Sequence, residues 1–438
     1  MSGGFEANGR ELLEGIPPAW REPATEVART LAAAGHRAWI VGGCVRDLVL
    51  ERPLKDLDIA SAARPEEVEA LFDRTVAVGR SFGIVVVVLG GVELEVATFR
   101  KERGYSDRRR PDEIEYADSP EVDAERRDFT CNALFLDPLD GSLSDPTGGL
   151  DDLRAGVLRA VGDPRARFRE DGLRILRMAR FLASLGLSPA PGLLDAARAE
   201  GDSLDGVSAE RVLDELGKVL RGPAPWVALR TLHDGGHAAR CVQGWSEGDA
   251  VAALRPDVLE RLGNAPGLGL GLAALLEPAP LGPLDPDARI EGTLEAAAEL
   301  RASRTDARAA AGIVGLRAEL ERAAEAPPPE GAEESGARVA LWRAPGRADA
   351  LRLALAWAEV GGDAARGRRL DALASACDAL DAAAPSDPVE LTAAELIDLG
   401  VERGPALGAL LQRARHAALG GAFTAREGAL AWVRAALR

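Results

Sequence analysis

Lysine and aromatic residues are scarce in this chain. Three lysines occur among 438 residues (Lys55, Lys101 and Lys218), and aromatics make up 4%. Arginine carries nearly all the positive charge, a bias that reflects genome base composition and says little about function. The four cysteines, Cys44, Cys131, Cys241 and Cys377, lie far apart and none forms a C-x-x-C pair. Reduced, buried thiols in a cytoplasmic protein are therefore expected. The four histidines do not cluster. "LHDGGH" contains His233-Asp234, but the distant partners of a metal phosphohydrolase site are not evident. No run of 18 apolar residues predicts a membrane span, and no basic start followed by an apolar run predicts a signal peptide. No repeat of fixed period is found.

Hydrophobic residues make up 47% of the chain, enough for packed cores, and the length predicts about two to four domains. The formal net charge is -17. Taken alone, that opposes a nucleic-acid partner, because phosphate binding needs local cations. The distribution is uneven, however. Residues 154–180 hold eight arginines against three acids, and "RKERGYSDRRR" (100–110) holds six cations against two acids. These stretches predict locally positive surface.

Two textures divide the chain near residue 160. Before it, "RAWIVGG", "LDIAS" and "FGIVVVVLGGVELEVATFR" read as strands, the last as two strands joined at Gly90-Gly91. Val85 to Val88 favour a strand because β-branched side chains fit the pleat. "EVARTLAAAG" and "PEEVEALFDR" read as helices between them. After residue 160 the period becomes helical. "FREDGLRILRMARFLASLG" places Leu173, Leu176, Phe181 and Leu182 at helical spacings, with Gly186 as the stop. "SAERVLDELGKVLRG" opens on Ser208 as an N-cap. "PPPEGAEESGA" (327–337) reads as a linker, and the chain beyond it is helical again.

The chemistry concentrates in "IVGGCVRDLVLERPLKDLDIAS" (40–61). Glycines between a strand and a helix let backbone N–H groups approach a phosphate, and Arg46 lies one turn into that helix. Asp56 and Asp58 stand at i and i+2, so on a strand both face one side. Such a pair repels itself unless cations lie between, and hard carboxylate oxygens suit Mg²⁺. Glu95, on a later strand, is the candidate third carboxylate for two-metal phosphoryl transfer. An isolated D-x-D is usually a solvated strand end. Glycines, arginine and aspartates together describe a site for a nucleoside triphosphate with metal.

"GGCVRD" followed by "KDLDIA" resembles the nucleotidyltransferase head of the class II tRNA nucleotidyltransferase and bacterial poly(A) polymerase family. "ERRDFTCNALFLDP" (125–138) is similar to the family's second motif, residues 145–186 to its third and fourth, and "SAERVLDELGKVL" to its fifth. "LIDLGVERGPALGALLQRA" is similar to the tail of CCA-adding members. The resemblance implies an α+β fold: a polymerase-beta-like mixed head (20–150), a helical neck with a nucleotide-templating helix (151–225), a helical body (226–326) and a helical, tRNA-binding tail (338–438). It implies that Asp56 and Asp58 hold two Mg²⁺, with Gly42, Gly43 and Arg46 at the triphosphate. Arg127 would neutralise triphosphate charge, and Asp128 would accept from the ribose. Otherwise Arg127 and Asp128 form a surface ion pair, worth little.

In "EDGLR", Asp171 and Arg174 are three apart and expected on one helix face. An acceptor beside a donor fork can read a base edge. Cytosine and adenine each offer an amino donor beside an acceptor, whereas uracil and guanine put a carbonyl where Asp171 needs a donor. In the family such a pair selects CTP and ATP; without that context it reads as a helix ion pair. Arg177 and Arg180 continue the face and steady this template or contact phosphates. Glu210 and Arg211 read as structural support. Residues 101–130 look like the flexible loop that full CCA-adding members keep and CC-only members shorten; its length and Arg108 to Arg110 favour complete CCA addition at the tRNA 3′ end. Partial (A- or CC-adding) addition and polyadenylation are the alternatives, and an inactive RNA-binding protein is the alternative outside enzymology.

Overall fold

The Gly-Gly turn and the aspartate pair meet at the middle of one mixed sheet. In this computed structural model, residues 8–76, 83–103, 113–242, 245, 249–278, 280–281 and 285–438 are described. Strands β1 (Ala38–Val41), β2 (Asp58–Ser61), β3 (Thr75–Val76), β4 (Ile84–Leu89), β5 (Val92–Thr98), β6 (Arg100–Arg103), β7 (Glu113–Tyr116), β8 (Phe135–Leu136) and β9 (Leu143–Ser144) form the head. All but β6 and β7 join one sheet in the order β3-β4-β5-β2-β1-β8-β9. β4 and β5 form the hairpin expected around Gly90-Gly91. β2 pairs antiparallel with β1 and parallel with β5, which sets Asp58 opposite Val41 on one side and Glu95 on the other. β6 and β7 form a separate ribbon. Helices Pro18–Ala33 and Gly43–Val49 precede and follow β1, and Ile40, Ile59, Leu94 and Phe135, on the strands themselves, are fully buried.

Two compact units divide the chain. One comprises the chain up to Val219 with Val227–Cys241, the other Leu220–Trp226 with Val242–Arg438. The second unit holds no strand among its described residues and is built of helices from Ala250–Leu262 to Arg426–Ala436. Its interior contains an ion network. Glu277, fully buried, accepts from Arg289 and Arg317. Arg317 also donates through Nε to Glu321 at 3.0 Å and through Nη2 to the Pro280 carbonyl at 2.7 Å.

Three expectations change. The helical texture after residue 160 is interrupted by a short parallel pair, β10 (Val157–Leu158) with β11 (Ser188–Pro189). "PPPEGAEESGA" is not linker throughout, because a helix begins at Ala332 and runs to Trp342. Glu333 and Glu334 suit its first turn, the helix packs along Pro405–Leu419, and its Val339 and Trp342 are buried, Trp342 donating to Asp378 at 2.8 Å. The stretch "FREDGLRILRMARFLASLG" is two helices, Pro164–Glu170 and Leu173–Leu185. Asp171 takes extended dihedrals (φ -147°, ψ 105°) and ends the first. At Gly172 the chain passes so close to Ser203 that a Cβ would lie 2.3 Å from its carbonyl oxygen. Only glycine fits there, and the second helix ends at left-handed Gly186 as expected.

Candidate nucleotide site

β1 delivers the chain to Gly42, which adopts φ 79° and ψ -133°, a region closed to residues with a Cβ. Helix Gly43–Val49 starts directly after it. Two arginines converge on this turn. A Cβ on Gly42 would meet Arg127 Nη1 at 3.1 Å, and one on Gly43 would meet Arg46 Nη2 at 3.5 Å. Arg127 is held by Asp123, whose Oδ2 accepts from Nη2 at 2.9 Å and Nε at 3.1 Å, while its Nη1 donates to the Asn132 carbonyl at 3.1 Å. Arg127 and Arg126, which also donates to Asp123 at 2.7 Å, hold the Asp123 carboxyl below the usual range despite its burial. Arg46 is buried, donates through Nη1 to Asn132 Oδ1 at 2.7 Å, and pairs with Asp47 at 2.8 Å.

Beside the turn lie the acids. Asp58 opens β2; Asp56 precedes the strand and is exposed, with buried Leu57 between them. Burial and the charges of Asp56 and Glu95 push the Asp58 carboxyl up to about 6, against the pull of Arg127. Burial is the largest cause, and the neighbouring carboxylates add to it. Asp56 and Asp58 offer hard oxygens suited to Mg²⁺, and their mutual repulsion is what a divalent cation would relieve. Glu95 acts on Asp58 through space; among the described residues no group of three or more His, Cys, Asp or Glu forms a ready metal cage.

Asp128 and Arg127 do not pair with each other. Asp128 is buried and accepts three hydrogen bonds. Oδ1 accepts from the Phe129 amide at 2.8 Å and Asn132 Nδ2 at 3.0 Å; Oδ2 accepts from Arg177 Nε at 2.7 Å and also lies 2.6 Å from Arg177 Nη2 in the ion pair. Arg177 and Asn132 hold its carboxyl down at about 2 despite burial. Arg180 donates to Glu215 at 2.6 Å, and buried Glu215 also accepts from Lys218 at 2.9 Å. Arg46, Arg177 and Arg180 surround the Phe181 ring at 5.2, 5.5 and 4.1 Å.

Asp171 and Arg174 do not share a helix face, because the break at Asp171 separates them. Asp171 forms a bidentate pair with Arg211, at 2.7 and 3.2 Å. Arg174 is buried and donates to Glu170 at 2.7 Å and to the carbonyls of Arg167 and Arg126, each at 3.0 Å. The helix ion pair between them is absent. The excess charge of 154–180 is also neutralised. All eight arginines have carboxylate partners, five of those acids (Asp128, Asp151, Asp152, Glu200, Glu215) coming from outside the eight-against-three count. Arg108 to Arg110 lie outside the described residues. Sequence reasoning missed Asn132, Asp123 and Glu215 as partners and gave Arg211 only a supporting role. "RRDFTCN" did contain Asn132, four residues after Asp128, but nothing local marks which polar groups an amide will join.

Residues 38–159 match the poly A polymerase head domain, and residues 186–240 match the probable RNA and SrmB-binding site of polymerase A. The chain is 43% identical over 217 residues to the CCA-adding enzyme of Limosilactobacillus fermentum, covering 50% of this chain and 54% of that one. It is 46% identical over 211 residues to the CCA-adding enzyme of Streptococcus gordonii, covering 48% and 52%. The chain thus matches about half the length of these curated relatives. The crystal structure of the Bacillus stearothermophilus CCA-adding enzyme in complex with CTP superposes with a TM-score of 0.72 at 28% identity, over 97% of this chain and 98% of that one. No helix among the described residues is long and apolar enough to cross a membrane. Residues 38–159 thus carry a poly A polymerase head domain, and the chain is similar in fold to a CCA-adding enzyme.

Proposed function

We propose that this protein is a template-independent tRNA nucleotidyltransferase that completes the tRNA 3′ end with CCA, using CTP and ATP. The observation that carries this reading is the convergence of Arg46 and Arg127 on the Gly42-Gly43 turn beside the Asp56/Asp58 pair, within a chain similar to CCA-adding enzymes. The proposed compartment is the cytoplasm, which four free, buried cysteines fit.

In this reading the backbone at Gly42-Gly43 lets a triphosphate approach closely, with Arg127 and Arg46 balancing its charge. Asp56 and Asp58 hold Mg²⁺, which supplies activation of the RNA 3′-hydroxyl and stabilisation of charge on the α-phosphate and leaving pyrophosphate. Glu95 sharpens the negative field around Asp58. Asp171 and Arg174 read the base. To do so Asp171 exchanges Arg211 for the amino group of cytosine or adenine, and Arg174 exchanges a carbonyl or Glu170 for a ring acceptor. Asp128, engaged by the Phe129 amide, Asn132 and Arg177, orients Arg177, and a ribose contact competes with those protein donors. The helices of the second unit and residues 338–438 are the proposed tRNA-binding body and tail.

Primer extension on tRNAs lacking one, two or three 3′ nucleotides tests this. With Mg²⁺ and separate CTP and ATP, the expected result is two C additions, then one A, then arrest. Arrest after C additions, or single A addition only, assigns a partial enzyme. Repeated A addition assigns a poly(A) polymerase. No incorporation alongside retained tRNA binding overturns the enzyme reading in favour of an RNA-binding protein.

A further inference from the structure

We propose that Asn132 is a positioning residue that ties the triphosphate half of the site to the base-reading half; this rests on the function proposed above. Three polar groups of Asn132 meet three residues of the site. Its side-chain oxygen accepts from Arg46 at 2.7 Å, its amide nitrogen donates to Asp128 at 3.0 Å, and its backbone carbonyl accepts from Arg127 at 3.1 Å. From Asp128 the connection continues to Arg177, whose Nε donates to it at 2.7 Å, on the helix that begins two residues after Asp171. Arg46 and Arg177 flank the same Phe181 ring. One hydrogen-bonded path therefore runs from the Gly42-Gly43 turn to the helix Leu173–Leu185.

The chemistry at position 132 is directional. One side of the group faces a guanidinium and needs an acceptor; the other faces a carboxylate and needs a donor. An amide supplies both from one planar group. A carboxylate there would serve Arg46 but repel Asp128, and an aliphatic side chain would leave both charges short of a partner. The residue is also held rigidly. It closes a 3₁₀ turn, Thr130–Asn132, its amide donates to the Phe129 carbonyl at 2.9 Å, and only 6% of it is exposed. Thr130, in the same turn, donates to buried Asp152 at 2.7 Å.

The test uses the full chain with Mg²⁺ and measures nucleotide binding by equilibrium titration and incorporation by extension. Asn132→Ala is expected to raise the KM for CTP and ATP about tenfold or more, with a smaller change in kcat. It is also expected to raise UTP and GTP incorporation relative to CTP and ATP by about tenfold. Asn132→Asp keeps the Arg46 contact and breaks the Asp128 contact, so selectivity should fall further than triphosphate affinity. Unchanged KM and unchanged base choice in an Asn132→Ala protein that melts like wild type overturn the proposal. If Asn132→Ala does not fold, Asn132→Ser, which keeps a donor and an acceptor, is read in the same way. Failure of both to fold assigns Asn132 to stability and overturns positioning. Absence of incorporation by the wild type refutes the proposed function instead, and the CTP titration still reads Asn132 separately.

Discussion

Replacing Asp58 by asparagine is expected to stabilise the metal-free protein while abolishing turnover. The Asp58 carboxyl is pushed up to about 6, first by burial and then by Asp56 and Glu95, with Arg127 pulling the other way. An aspartate in an unfolded chain titrates near 3.9. The folded state therefore binds this proton more tightly than the unfolded state. Its contribution to stability is fully present below about pH 4 and is lost as pH rises through 6. At pH 7 a difference of about two units corresponds to roughly 3 kcal/mol of destabilisation. Asp58 is partly exposed, so solvent screening leaves about 1–3 kcal/mol. Asparagine keeps the shape and removes the charge. In a unit of this size each kcal/mol moves Tm by about 2–4 °C, so Asp58→Asn should melt roughly 2–12 °C higher in EDTA at pH 7. Most of the gain should be gone near pH 4, where the folded state is protonated and the unfolded state is about half so. Mg²⁺ should raise the Tm of the wild type and leave that of Asp58→Asn nearly unchanged. Thermal denaturation with EDTA or Mg²⁺ at both pH values, with extension assays alongside, makes the measurement. A variant that melts at or below wild type in EDTA at pH 7, or that responds to Mg²⁺ as wild type does, would refute the reasoning.

Glu277 holds two buried arginines, so Glu277→Gln should cost about 3–5 kcal/mol in denaturant unfolding by leaving Arg289 and Arg317 underpaired; a loss under 1 kcal/mol would contradict the buried network. Arg211→Ala frees the Asp171 carboxylate from its bidentate partner, and misincorporation of UTP and GTP should rise while tRNA affinity stays within about twofold. Unaltered base choice would show that Arg211 does not orient Asp171. Asp171→Ala should relax base choice more than it weakens triphosphate binding, and intact selectivity would remove Asp171 from base reading. With all eight arginines of 154–180 paired to carboxylates, charge-reversing any one exposed member, such as Arg169→Glu, should change tRNA affinity only modestly at about 0.15 M salt. A tenfold loss would show that such a pair opens to meet phosphate.

Much of the head was legible because its signals are local. The β-branched run at Val85–Val88, the alternation through β5 and the glycine pair at 90–91 are consequences of sterics within a few residues, and β4 and β5 form where those signals place them. The left-handed stop at Gly186 is legible for the same reason. Local signals failed where a distant contact overruled them. "FREDGLRILRMARFLASLG" read as one helix, yet the helix breaks at Asp171, next to Gly172, where a Cβ would lie 2.3 Å from the carbonyl oxygen of Ser203, 31 positions along the chain. The charge count of 154–180 failed likewise, since folding brings acids such as Asp128 and Glu215 to those arginines.

The sequence by itself determined that two carboxylates stand two positions apart after a glycine turn, because that is a matter of adjacency and residue chemistry. Only the tertiary structure decided that Glu95 faces Asp58 across a parallel pair, and that Arg46 and Arg127 meet over the turn. It alone decided that Asn132 joins Arg46 to Asp128. The physical reason is that a buried charge takes whichever partner packing brings within hydrogen-bond reach, and that choice depends on strand register and helix placement rather than on neighbours in the chain.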